Sequence, residues 1–546
     1  MLYRQSVLCD DGSSVKEGQT MRMNKKIIIA VLGAVLAGSL LGGCGSQGSG
    51  SSAANIKSEV HIAMNASPDT YDICKTTAIV AKEMMLGNVF ESLVTMDGDY
   101  KPRPELAEKI DTNQDDTEYT YHLRKGVSFH NGEEMKADDV VASMNRWIES
   151  SGGVKSAVGD ARFEKVDDYT VRIQLQKPLA TLNEMIAGSS PVAIIVPKSV
   201  IDQADPKTGM ITQYIGTGPY MVDQIVPDSY LQLKKFDQYK PYGEKGKNSG
   251  WWGYKEAKTP VIVYNFVPDS STRTAGMQSG EYDIVTQMPI DDYNQFKGNS
   301  SYQISKEIDG EIGMVYNKKR GLASNPLFRQ AVNAALNDDD IMKAAYADSE
   351  FYELSSSYII GHSNPWYSES GKEYYNQKNP DKTRQLLQQA GYNGEEFTVV
   401  VSSQYPAFYN AAVVVERELK DAGVNVKLDV VDWATYLTKS RDANAYDAFI
   451  TGFAVRNIPA AITYLSPTWN GWSDDPRLVQ TMGRINTTPD QKQAASDWSD
   501  LQGYLWNTYL PVSKFGNYYN YDVTSDKVQG FEFFQGSHAW NMTVSE

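Results

Sequence analysis

Cysteine is nearly missing from this chain: three residues in 546, at Cys9, Cys44 and Cys74. So few thiols exclude a disulfide-stapled scaffold and leave packing to hold the molecule together. Histidine is as scarce, five in all and widely scattered, so no metal site is legible from ligand spacing. Positive charge is in deficit: 52 basic residues against 68 acidic ones give a net charge of −16. That balance is a poor match to nucleic acid, whose binding depends on clustered Lys and Arg. The run Ile27 to Gly43 is apolar, but it is glycine-interrupted and falls short of the roughly 20 residues a membrane-spanning helix needs. Neither G-x-S-x-G nor H-E-x-x-H occurs, and GHSNP at 361–365 lacks the second glycine of a nucleophile elbow.

Against these shortages stand 34 Tyr and 10 Trp, amphipathic rings that suit both a core and a cleft gripping polar ligands. Lys25 and Lys26 precede the apolar run in the charged-then-greasy order of a secretory signal. The junction Leu41-Gly42-Gly43-Cys44 resembles the lipobox of bacterial lipoproteins, which implies removal of residues 1–43 and a diacylglycerol on the Cys44 thiol. Two acyl chains suffice for stable anchoring where one is marginal. Residues 44–55 then read as a Gly/Ser tether, ten such residues spanning about 17 Å as a coil. Residues 1–20 carry no signal feature, which reads as an upstream start codon with Met21 or Met23 as the true first residue. Residues 1–43 hold 5 of the basic and 3 of the acidic residues, so the mature chain carries −18. Cys74, left without a partner, reads as a small buried hydrophobe.

About 500 residues exceed one hydrophobic core, so two or three domains are expected. Tyr119, Tyr121 and Leu123 alternate as in a half-buried strand, Asn131-Gly132 marks a tight turn, and Val171, Ile173 and Leu175 give another strand. Val140, Val141, Met144, Trp147 and Ile148 share one helical face, with Asp138 as the expected N-cap. Asn325-Pro326 and Asn379-Pro380 open helices, Gly391 closes the second, and a third ends at Ala422-Gly423 before the strand VNVKLDVV. Alternating helices and strands place the fold in the α/β or mixed α+β class.

Several segments, in order, carry a family resemblance: VFESLVTMDGDYKPRPELAE from Val89, YTYHLRKGVSFHNGEEMKADDVVAS from Tyr119, IGTGPY from Ile215, SGEYDI from Ser279, MVYNKKRGLASNPLFRQAVNAAL from Met314 and GVNVKLDVVDWATY from Gly423. Over nearly the whole mature chain the sequence resembles the family 5 extracellular solute-binding proteins, the oligopeptide, dipeptide and nickel type that deliver ligands to ABC importers. The resemblance implies a bilobal periplasmic-binding-protein-like fold, two mixed-sheet lobes joined by a hinge crossed twice, with an extra inserted domain. Mapped here, lobe I comprises 56–94, 215–308 and 516–546, the inserted domain 95–214, and lobe II 309–515. Gly126, Gly132, Gly216 and Gly218 are expected in tight turns, Arg329 in packing or pairing on its helix, and His130 in a hairpin rather than on a metal.

Peptide-binding relatives generally carry an aspartate in a segment like W-x-x-D-x-x-D-P, where it pairs with the ligand's α-amine. Here the corresponding residues are Phe453-Ala454-Val455-Arg456-Asn457-Ile458-Pro459, with no acid. A buried ammonium without a counter-charge is costly, so Arg456 turned into the cleft suits a carboxylate or other anion, while Arg456 facing solvent or paired within its lobe suits neither. Asp474-Asp475-Pro476 reads as a helix cap. The candidate ligand-binding residues are Arg456, Asn457, Trp433, Phe453, Tyr71, Tyr405 and Tyr464. No catalytic residue, metal or cofactor is expected.

The leading expectation is a monomeric, membrane-anchored binding protein that closes around a peptide-like or other nitrogenous solute and docks on an ABC permease and its ATPase subunits. It would sit on the outer face of the cytoplasmic membrane and alter nothing in its cargo. Beside it stand a binder of oligosaccharide or of an anionic non-peptide solute, a surface-anchored hydrolase, and a sensor or adhesion lipoprotein.

Overall fold

Two long antiparallel strands, Tyr302–Tyr316 and Val512–Ser525, run side by side and organise everything around them. In the computed structural model, which describes residues 55–76, 78–188, 191–454 and 456–546, they lie at the middle of one eleven-stranded sheet. The leader 1–43, the Cys44 lipidation site and the tether to residue 54 lie outside the described residues. No described helix is long and apolar enough to cross a membrane.

On one side of this pair the sheet continues through Ala448–Ala454, Phe397–Ser402 and Val426–Val431; on the other through Ile284–Val285, Glu59–Met64, Val261–Phe266, Tyr230–Lys235 and Tyr220–Val226. Each half contains parallel pairs: Phe397–Ser402 with both neighbours, and Glu59–Met64 with Val261–Phe266 and Ile284–Val285. Parallel strands need covered faces, and FTVVVS obeys: five of its six residues are buried beneath the helix Pro406–Asp421. The fold is α/β and bilobal. Boundaries drawn at 308/309 and 515/516 fall inside the two long strands, so the halves are joined by continuous sheet rather than by loops.

The segment 95–214 carries its own antiparallel sheet of Ala107–Thr112, Glu118–Leu123, Thr170–Gln174 and Phe163–Asp167. Tyr119, Tyr121, Leu123, Val171 and Ile173 are buried on it beneath the helix Ala137–Ser150, whose Val140, Met144, Trp147 and Ile148 point inward. That helix starts one residue before Asp138. Asp139 instead accepts from the Lys136 N–H at 3.0 Å, and Asp138 pairs with Lys165 at 2.8 Å. The other helix signals hold: Asn325 caps Leu327, Asn379 caps Lys382, Asp475 caps Leu478, and Gly391 adopts the left-handed conformation that ends its helix. Cys74 is 1% exposed, and burial raises its thiol pKa.

Two of the expected turn glycines do something else. Gly126 and Gly132 have positive φ, as a tight turn requires, but Gly216 and Gly218 do not. They let the backbone press against Val89 and Asn88, whose carbonyl oxygens would overlap any Cβ placed there. His130 sits at this junction, its ring bonded to the Gly216 N–H at 3.2 Å and the Gly218 carbonyl at 3.0 Å, a satisfied structural histidine. Arg329, 2% exposed, donates to carbonyls of Ala323, Ser324, Tyr509 and Leu510, tying its helix to the chain that enters the second long strand.

Candidate functional site

Between the halves, the first long strand reads EIDGEIG over residues 307–313, with acids at Glu307, Asp309 and Glu311. A β-bulge between Ile308 and Gly310 leaves Asp309 outside the regular ladder, a local device that re-aims a side chain. At Gly310 a Cβ would overlap the Tyr518 hydroxyl and the Phe453 carbonyl, so glycine lets three segments converge here.

The second-lobe side of this region is cationic. Glu311, 4% exposed, pairs with Lys514 at 3.0 Å and accepts from the Tyr464 hydroxyl at 2.9 Å. Arg456, partly buried, lies in the electrostatic field of the same Glu311, and desolvation lowers the guanidinium pKa. Arg456 is therefore turned inward, towards a buried acid of its own lobe. Lys82, on the first-lobe helix Ile79–Met85, is 8% exposed, and burial together with Arg456 pulls its ammonium down to about 8. Glu311 thus has Lys514 and Arg456 around it, and Lys82 stands in the field of Arg456.

The first-lobe side is anionic. Gln287 holds two carboxylates at once: its side chain donates to Glu83 at 3.1 Å and its backbone N–H to Asp522 at 2.9 Å. It does so at φ +50°, a conformation a non-glycine residue adopts at some cost. Glu307 accepts the Gln535 N–H at 3.0 Å, and Asn520 hydrogen-bonds Asp309. Burial, and then the neighbouring acids, push Glu83 and Glu307 up to about 8 and Asp522 up to about 7.

Of the residues expected to bind ligand, the structure gathers four. Phe453 meets Tyr464 edge-on at 4.9 Å, Tyr464 reaches Glu311, and Arg456 and Asn457 follow on the same segment. That segment is pinned from outside, the Arg456 carbonyl accepting from Ile360 N–H at 3.2 Å and the Asn457 carbonyl from the Asn364 amide at 2.9 Å. Trp433 and Tyr405 form a separate patch: Trp433 stacks on Tyr436 at 4.8 Å and meets Tyr405 at 4.7 Å, and Tyr405 stacks on Phe408. Phe408 reaches the Phe453 strand, lying against Gly452, where a Cβ would come within 2.8 Å of its ring. Tyr71 lies with neither group. It is 5% exposed and edge-on to Tyr214 at 5.5 Å in the first-lobe core. The sequence reading missed Lys82, Glu83, Glu311 and Asp522; only the period-2 acids of EIDGE were a signal for any of them. Among the described residues no group of three His, Cys, Asp or Glu side chains is placed to hold a metal ion.

A two-lobed molecule with charged side chains of both signs converging at a strand-built hinge is the architecture of a solute-binding protein. The family model for bacterial extracellular solute-binding proteins, family 5, matches residues 101–475. The chain belongs to that family. It is 25% identical over 474 residues, 82% of this chain and 86% of the other, to the probable peptide ABC transporter periplasmic-binding protein of Sinorhizobium fredii. To the dipeptide-binding protein of Escherichia coli it is 27% identical over 368 residues, covering 62% of this chain and 65% of that one. Among solved structures, the binding protein AgaA of Agrobacterium tumefaciens R10, in complex with agropinic acid, superposes with a TM-score of 0.71 over 89% of this chain and 99% of that one at 23% identity, a likeness of fold.

Proposed function

We propose that the chain is the lipid-anchored receptor of an ABC importer, capturing a peptide-like or related nitrogenous solute between its lobes and passing it unaltered to a permease and its ATPase subunits. The observation that carries the reading is the approach of Lys82, from the segment assigned to one lobe, to Arg456, from the segment assigned to the other, where Arg456 also lies in the field of the buried Glu311. A carboxylate bound there bridges the lobes, so the ligand binds the closed form better than the open one, which is the condition for a ligand to drive closure. The relatives named for peptide and dipeptide transport support a peptide-like cargo over an oligosaccharide. Residues 56–94, 215–308 and 516–546 act as one closing body and 309–515 as the other, with 95–214 riding on the first. Flexure in Tyr302–Tyr316 and Val512–Ser525, near the bulge at Asp309, serves as the hinge. The receptor acts as a monomer, held at the outer face of the cytoplasmic membrane by acyl chains on Cys44.

The test is small-angle scattering and thermal shift on the mature chain with a panel of di- and tripeptides and opine-like amino-acid conjugates. At least one member should compact the protein and raise its melting temperature, with uptake lost on deletion in cells. A panel that leaves both radius and melting temperature unmoved, or a solute recovered cleaved, ends the reading.

A further inference from the structure

The carboxylates Glu83, Glu307, Asp309 and Asp522 come from three separate pieces of chain, the helix Ile79–Met85 and the two long strands. Among the described residues no Lys or His forms an ion pair with any of them. Glu83 and Asp522 are each 3% exposed, and each has one oxygen, Glu83 Oε2 and Asp522 Oδ2, that accepts no hydrogen bond from a described group. Buried acceptors are almost always satisfied, and a buried carboxylate without a cation is costly to keep. Glu307 and Asp309 are only partly buried, so the cluster has an open side. The charge imbalance is local: Lys514 and Arg456 lie next along the same strand at Glu311, and Tyr518 stands in the field of both Asp309 and Glu311.

We propose that this hinge cluster is the subsite for a protonated nitrogen of the solute, an ammonium or guanidinium group, with Glu83 and Asp522 as its inner acceptors and Glu307 and Asp309 at its mouth. The inference rests on the solute-binding reading and sharpens it: the cargo is amphoteric, its anionic group at Lys82 and Arg456 and its cationic group at the acids of the hinge. The arrangement couples capture to closure, because the acceptors sit on the strands that must bend. It also answers how a chain with no acid between Phe453 and Pro459 neutralises an amine. The acids lie along the long strands and on the first-lobe helix instead.

The probe is methylammonium chloride, titrated into the mature chain against sodium chloride at matched ionic strength and followed by thermal shift. With two non-hydrogen atoms to bind, saturation is expected at a dissociation constant on the order of 10 mM. Glu83→Gln and Asp522→Asn should each weaken it at least tenfold, while the exposed Asp111→Asn leaves it unchanged. A second readout needs no variant: carbodiimide labelling of Glu307 and Asp309 in the wild-type chain should slow with methylammonium and not with sodium. No saturable response beyond that of sodium, or the same response in both variants, overturns the subsite. The outcome is separable from the transport reading, since a panel solute that compacts the protein keeps that reading alive while the amine site fails, and the reverse result keeps the site and removes the transport role.

Discussion

Two buried carboxylate groups in this molecule look alike on paper and behave as opposites. Where the segment 95–214 meets the first lobe, Glu91 and Glu105 flank Lys255, which lies 3.6 Å from Glu91, bonds Glu105 and stands over the Trp540 ring. Thr217 and Tyr239 donate to Glu91 at 2.8 and 2.9 Å, and the Ser92 N–H donates to Glu105 at 3.1 Å. At the hinge, Glu83, Glu307, Asp309 and Asp522 have backbone and amide donors but, among the described residues, no lysine or histidine in an ion pair with them. The first group is closed and serves the fold. The second lacks such a lysine, with two of its acids bridged by Gln287 at positive φ, and such unresolved local conflict is where function concentrates.

The comparison breaks hardest at Lys255. Lys255→Met strands two acids in a core with no access to water, so urea denaturation should show a loss of about 3–5 kcal/mol. A loss below about 1 kcal/mol would erase the distinction. Arg456→Ala comes next, since it removes one of the two cations assigned to a bound carboxylate. Calorimetric affinity for a carboxylate-bearing solute should fall ten- to a hundredfold, and Arg456→Lys, which keeps the charge but not the planar fork, should recover part of it. Unchanged affinity would reassign Arg456 to its lobe alone.

Glu83→Gln sharpens the contrast through its sign. A carboxyl raised from 4.5 to about 8 on folding stabilises the protein below pH 4.5 and loses that contribution as pH rises to about 8. Asp522 and Glu307 act the same way over a similar range, and Asp309 is raised too. The wild-type chain should therefore lose stability between pH 5 and pH 8, and Glu83→Gln should flatten that slope and stabilise the protein at pH 8 by on the order of 1 kcal/mol. Denaturant midpoints at the two pH values check it. A variant less stable than wild type at pH 8 would mean Glu83 is closed after all, like Glu105.

Much of the scaffold was legible in the sequence. Period-2 runs at Tyr119 and Val171 became strands, and Asn-Pro and Asp-Pro pairs became helix caps, because these are local effects decided within a few residues. The site was legible only in part. Arg456, Asn457, Phe453 and Tyr464 lie on one short segment, and the structure keeps them together. Lys82 and Glu83 could not be read out, since their partners Arg456, Gln287 and Asp522 lie more than two hundred residues away and their helix looks like any other. Tyr71 illustrates the converse: an aromatic near a loop carries no sign of which core it enters. Gly216 and Gly218 were read as turns because glycine signals both positive φ and close backbone approach, and only the fold distinguishes the two.

The smallest effect concerns the aromatic patch at the second-lobe edge, where Tyr405 is a cleaner probe than Trp433. Trp433 is partly buried and stacked on Tyr436, so its removal mixes packing loss with any loss of ligand contact. Tyr405 is 42% exposed, so its ring adds little to folding: Tyr405→Ala should leave the denaturation midpoint within about 0.5 kcal/mol of wild type. If the ring stacks on bound solute, affinity should fall about two- to tenfold by calorimetry, less than for Arg456→Ala, because a partly solvated aromatic contact is weaker than a desolvated charge-assisted bond. If affinity holds, the Trp433–Tyr405–Phe408 ladder supports the Phe453 strand through Gly452, and solute recognition contracts to the two charged poles along the hinge.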